Sequence, residues 1–169
     1  MKRQRIVCVV AILATIGFGV LIHFLYQWSP NVLFAVIGPV RESVWEHIKL
    51  IYWPLSLTGL ILTCRDREHR GSWRLAVLVC SGLLLVFGWI VNIRLGLVSM
   101  PVDIGAFLVL ILLGYAIAYL VRVDKRWNGW LLAGVVALGC AIMVLSFWWP
   151  EGALFADLSM VDALYTLPC

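Results

Sequence analysis

Residues 41–49, with the sequence RESVWEHIK, hold the densest group of reactive side chains in the chain. Two carboxylates, an imidazole, a hydroxyl and two cations lie within this short segment, and an apolar run follows it. Imidazole and carboxylate groups bind Zn²⁺ and similar ions, and they also transfer protons during catalysis. This stretch, called the polar segment below, is therefore the strongest candidate for chemistry.

A metal site is one interpretation of the polar segment. The imidazoles and carboxylates that could ligate a divalent metal such as zinc are His23, Glu42, Glu46, His47 and either Asp103 or Asp157. Of these, His23, Glu46 and His47 form the predicted metal set, with Glu46 as a catalytic base and His47 as a ligand. A metal there would activate water against a lipid-linked or peptide substrate. The HExxH spacing of zinc proteases does not occur.

Two other functional interpretations remain open. Ser43 and His47 lie one helical turn apart, which would suit a nucleophile and its base. The polar residues could instead form a pocket for a solute, an ion or a lipid head group, as in a small solute or ion transporter. The residues predicted to bind such a ligand are Glu42, Lys49, Arg94 and Asp103.

The same residues also have a structural interpretation. Glu46 and Lys49 can form an ion pair at i, i+3 within one helix. Arg94 can pair with Glu42 or Asp103 between helices. In that case the polar segment fixes the register of the helices, in a protein that acts as a scaffold or binds a partner.

Composition indicates where these residues lie. Of 169 residues, 63% are hydrophobic and only 13% are charged, whereas soluble domains have about 25% charged residues. The net charge of +4 comes from basic residues in short loops between apolar runs, which argues against nucleic-acid binding. The composition predicts an all-α integral membrane protein, with residues 1–169 forming a single membrane domain whose surroundings are the lipid bilayer.

Apolar runs predict a bundle of about five transmembrane helices. The predicted spans lie at about residues 6–28, 42–63, 75–95, 102–121 and 129–149. A short re-entrant or interfacial segment at 32–40 follows the first span, and residues 150–169 form an outer tail. Pro54 predicts a kink in the second span.

Charge asymmetry predicts the orientation. Ten of the thirteen Lys and Arg residues fall on the side of the N-terminus, which the positive-inside rule places in the cytoplasm, with the C-terminus outside. A bacterial cytoplasmic membrane fits this pattern. His23, the polar segment, Arg94 and Asp103 then lie at the outer ends of their spans, where polar groups at membrane depth need partners or a cavity. Helical phase predicts that Glu42, Glu46 and Lys49 share one face.

Residues 42–50 (ESVWEHIKL), followed by the aromatic-Pro stretch 52–54 (YWP), resemble the signature of a family of small bacterial multi-pass membrane proteins of unknown function. The family pattern is N-E-S-x-W-E-H-x-K-L, with a His in the first span and an L-F-x-D element near the C-terminus. His23 and residues 154–157 (LFAD) match those two places, while Arg41 replaces the usual Asn. The tail after Asp157 departs from the family pattern. The resemblance implies the membrane fold and no particular activity.

Overall fold

The computed structural model describes residues 2–64, 67–148 and 151–158, and the described chain is helical, with no β-strand. The long helices are α1 (Lys2–Trp28), α4 (Lys49–Leu62), α5 (Arg70–Gly88), α6 (Met100–Leu120) and α7 (Asn128–Trp148), and the short ones are α2 (Val32–Ile37) and α3 (Val44–His47). A π-helical segment, Trp89–Arg94, extends α5. Single 3-10 turns lie at Lys125–Trp127 and Ala153–Phe155. The prediction of an all-α fold is confirmed.

Among the described residues, four helical segments are long and apolar enough to cross a membrane, which indicates a membrane protein. They are Ile6–Trp28, Arg70–Arg94, Met100–Leu120 and Lys125–Trp148. The remaining predicted span, the second one at 42–63, corresponds to α3 and α4, which are each shorter. The predicted count of about five therefore agrees roughly with the structure. The end of the last predicted span, at 149, and the tail residues 159–169 lie outside the described residues.

Helix α4 packs antiparallel between α1 and α5. Thr15 of α1 hydrogen-bonds Thr58 of α4 and Tyr115 of α6, with both oxygen–oxygen distances 2.7 Å. Further along, Gly59 packs on Trp73 near the start of α5. At the opposite end Gly88 packs on Val44 of α3. The α3–α4 segment therefore extends over most of the depth of α5.

The second predicted span is divided into α3 and α4, which corrects the prediction of one helix over 42–63. Helix α3 begins only at Val44, because the Ser43 hydroxyl caps it by accepting a hydrogen bond from the Glu46 N–H (3.2 Å). The interruption lies at Ile48, whose N–H bonds Trp45 O three residues back. Pro54 lies inside the continuous α4. Glu42 is therefore outside the helix that was predicted to carry it.

The segments before α3 and after α7 meet at one end of the bundle. Gly38, which ends α2, lies against the backbone of Ile22, so close that a Cβ atom at this position would collide with Ile22 O. The C-terminal residues 151–158 reach the same end, where the Leu158 N–H bonds Glu42 O (2.8 Å). This end, called the polar end below, holds the candidate site.

Candidate functional site

His23, Glu42 and His47 form a cluster at the polar end. His47 Nε2 lies 3.4 Å from Glu42 Oε2, and His23 Nε2 lies 3.9 Å from Glu42 Oε1. One ligand atom from each residue lies within 4.8 Å of the other two. The side chains are between 24% and 38% exposed, so the cluster is partly open. Helix α1, the connection before α3 and α3 itself each supply one member.

The hydrogen bonds of His47 determine which of its ring nitrogens carries a proton. Nδ1 lies 2.7 Å from the carbonyl oxygen of Ser43, which can only accept a hydrogen bond. Nδ1 must therefore be protonated. Nε2 faces the Glu42 carboxylate, another acceptor, so it must either carry a second proton or share a cation with that carboxylate.

Glu42 precedes α3 and lies outside the membrane-spanning helices. Its hydrogen bond with His47 is the main cause that holds the pKa of the Glu42 carboxyl below its usual value, although partial burial acts in the opposite direction. Glu42 is therefore ionised at neutral pH and can accept a proton or ligate a cation.

Glu46 and Lys49 lie apart from this cluster, in the protein interior. Lys49 is fully buried, and its Nζ donates to Glu46 Oε2 (2.7 Å), Ala35 O (2.7 Å) and Gly38 O (3.0 Å). Glu46 Oε2 also accepts the Val40 N–H (2.9 Å). The predicted Glu46–Lys49 ion pair is present. We call this group, with the α2 carbonyls it binds, the Lys49 clasp.

The Lys49 clasp changes the predicted roles of Glu46. Adjacent residues of a helix point about 100° apart, so Glu46 turns inward while His47 turns towards Glu42. The structure therefore groups Glu42, and not Glu46, with the two histidines. The carboxylate of the buried Glu46 is bound by Lys49 and the Val40 N–H.

Asp103 lies within electrostatic range of the cluster, and Arg94 contacts a neighbouring ring. The Asp103 carboxylate is close enough to interact electrostatically with His47 and Glu42, and it accepts a hydrogen bond from Asn92 Nδ2 (3.3 Å). The π-helical segment at the end of α5 carries Asn92, and such segments are frequent at functional sites. Arg94 lies over the ring of Trp89 (5.3 Å), and no ion pair joins it to Glu42 or Asp103 in the described chain.

Two contributors were not predicted. The carbonyl oxygens of Ser43, Ala35 and Gly38 orient His47 and Lys49, and a backbone carbonyl leaves no trace in the sequence. For Asn92, the sequence offered one indication of a role at the site, which is its position near the end of the third predicted span.

Comparison with protein-family models identifies the family. The model of a family of unknown function, DUF6512, matches residues 1–165. The chain belongs to the DUF6512 family. Comparisons with curated proteins and with solved structures give no match.

In this DUF6512 protein the segments that carry the sequence resemblance meet at the polar end. The His23 and His47 rings lie 5.6 Å apart between centroids. The Phe155 ring lies 5.5 Å from that of Trp45. The first span, the polar segment and residues 154–157 thus build one assembly around Glu42.

Proposed function

We propose that this DUF6512 protein is a membrane-embedded metalloprotein that holds a divalent metal such as zinc between His23, Glu42 and His47. The observation that carries the proposal is the convergence of three donor atoms within 4.8 Å, one from α1 and two from the polar segment. Two imidazoles and one carboxylate form a ligand set that catalytic zinc sites use.

The distances support this proposal. Two ligands on a tetrahedral zinc ion, each bonded at about 2.0–2.1 Å, are separated by roughly 3.4 Å. The Glu42–His47 separation of 3.4 Å matches that value, and the Glu42–His23 separation is 3.9 Å. These two distances run to different oxygens of the Glu42 carboxylate, and single donor atoms of the three residues lie within 4.8 Å of one another, so the ligands would move closer together around one ion.

The second support is the hydrogen bond behind His47. Metal-binding histidines commonly donate their other ring N–H to a backbone carbonyl or a carboxylate, which fixes the ring and its tautomer. His47 Nδ1 has this partner in Ser43 O. Its Nε2 is then directed at Glu42, and a cation bound between them would replace the Nε2 proton that their hydrogen bond otherwise requires.

A three-ligand site leaves one coordination position for water or substrate, as in catalytic rather than structural zinc sites. A metal there would lower the pKa of bound water and polarise a carbonyl or phosphoryl oxygen. We infer hydrolysis or group transfer at the membrane surface, on a lipid or small molecule that reaches the polar end. Asp103, at the rim of the cluster, takes the proton-accepting role first predicted for Glu46.

We infer further that the polar end faces outward from a bacterial cytoplasmic membrane. The support is the excess of Lys and Arg in the loops at the other end, together with the N-terminal basic residues. The N-terminus is then cytoplasmic, and residues 151–158 lie outside.

Metal analysis of the purified protein tests the proposal. Protein purified in neutral detergent and incubated with a slight excess of Zn²⁺, then freed of unbound ion, is expected to retain one zinc per chain. His23→Gln and His47→Gln each remove a ligand and should reduce retention to a small fraction. His69→Gln is the matched control, because His69 is the third histidine of the chain and lies before α5, away from the polar end.

Zinc retention that is well below one per chain, or that falls equally in all three His variants, would contradict the proposed site. If the protein retained one zinc per chain but turned over no ester or phosphoester substrate, the metal site would stand and the proposed hydrolysis or group transfer would be rejected.

A further inference from the structure

A groove at the end of the bundle opposite the polar end has the features of a lipid site. Helices α4, α5 and α7 enclose a cavity of about 300 Å³ that is open at the side. Arg70 and Arg74 line it at the start of α5, and Thr63 lines it at the end of α4. Residues towards the middle of the helices, such as Val77, Leu132 and Val135, make the rest of the lining apolar.

The two arginines are held at the mouth of this groove by backbone carbonyls. Arg70 donates from Nε to Thr63 O (3.1 Å) and from Nη2 to Cys64 O (3.3 Å). Arg74 donates from Nη1 to the carbonyl and side-chain oxygens of Asn128. Within the described chain, Arg74 Nε and Nη2 make no hydrogen bond, which leaves donors for a further acceptor.

The charge and polarity of the residues that line the groove indicate which class of ligand it would bind. Arg70 and Arg74 lie one turn apart on α5 and repel each other, and no carboxylate is among the described residues that line the groove. A phosphate group would bridge and neutralise the pair, because guanidinium groups match phosphate oxygens in geometry and charge. The apolar part of the groove, at greater depth, fits an acyl chain.

We propose that the groove between α4, α5 and α7 binds one anionic phospholipid, with its phosphate at Arg70 and Arg74 and an acyl chain along Leu132 and Val135. Basic pockets between membrane helices bind acidic lipid head groups in this way. The site is independent of the proposed metal site, since the two lie at opposite ends of the bundle.

Native mass spectrometry of delipidated protein tests this site. In neutral detergent micelles, phosphatidylglycerol is expected to bind once per chain and at least tenfold more tightly than phosphatidylcholine. Arg74→Gln should weaken phosphatidylglycerol binding severalfold, and Arg70→Gln with Arg74→Gln tenfold or more. Arg122→Gln is the control, because Arg122 is exposed at the same end, pairs with Glu68 and does not line the groove.

A second variant tests the acyl-chain part without changing charge. Leu132→Trp fills the groove from an exposed position on α7 and should also weaken lipid binding. Unchanged binding in Leu132→Trp, an equal loss in Arg122→Gln, or equal affinity for both lipids would overturn the proposal. Displacement of the lipid by millimolar inorganic phosphate would also overturn it, because that result indicates a site for the head-group anion alone.

Discussion

Replacement of Lys49 by Met is expected to lower the free energy of unfolding by about 3–5 kcal/mol, because it leaves the buried Glu46 carboxylate without its cation. Lys49 has no exposed surface and Glu46 is only 3% exposed. The change also removes a donor from two buried carbonyls, Ala35 O and Gly38 O. Thermal or denaturant unfolding in detergent measures the loss.

The double variant Lys49→Met with Glu46→Leu separates a charge effect from a loss of packing. Replacing both members of a buried ion pair by apolar side chains is often nearly neutral, whereas removing one member is costly. The double variant is therefore expected to recover a large part of the loss. If Lys49→Met alone left stability unchanged, the Lys49 clasp would have no structural role. If the double variant were as unstable as Lys49→Met, the loss of stability would come from the carbonyls of Ala35 and Gly38, which lose their donor in both variants.

Zinc is expected to stabilise the protein through His23, Glu42 and His47. A ligand that binds only the folded state, present at a thousandfold excess over its Kd, adds about 4 kcal/mol to the free energy of unfolding. Zinc should therefore raise the melting temperature in detergent, and a chelator should reverse the rise. His47→Gln and Glu42→Gln are expected to abolish the response.

Two control variants make this zinc response specific. His69→Gln should keep the full response, since His69 lies outside the cluster. A conservative change in the Lys49 clasp, Glu46→Gln, should lower the baseline stability and still leave a zinc-induced rise. A zinc response that survives in His47→Gln, or disappears in Glu46→Gln while that variant remains folded, would place the ion elsewhere.

The length and polarity of the apolar runs allowed the main helices to be predicted. A helix must supply about 20 apolar residues to cross the hydrocarbon core, so α1, α5, α6 and α7 could be located closely. The division at Ile48 was missed, because the apolar pattern continues across it. Ser43, which caps α3 and leaves Glu42 outside it, has a capping signal in the sequence: Glu46 stands three residues later, as in a capping box.

The sequence predicted how deep in the membrane the site residues lie, but not towards which neighbouring helix each side chain points. Counting spans placed His23 and His47 at the same level, and they do meet. Helical phase placed Glu42 on one face with Glu46 and Lys49, yet Glu42 joins the histidines because it lies outside the helix. The Glu46–Lys49 pair is local and was predictable, whereas the α2 carbonyls that complete the Lys49 clasp depend on how the chain returns after α1.

X-ray absorption at the zinc K-edge of the zinc-loaded protein tests the central claim most directly. We expect a first shell of two imidazole nitrogens and one or two oxygens at about 2.0–2.1 Å, without sulfur. One imidazole should disappear in His23→Gln, while His69→Gln should keep the wild-type spectrum. A shell that contains sulfur from the free cysteines, or one that is the same in His23→Gln and the wild type, would contradict a metal held between His23, Glu42 and His47.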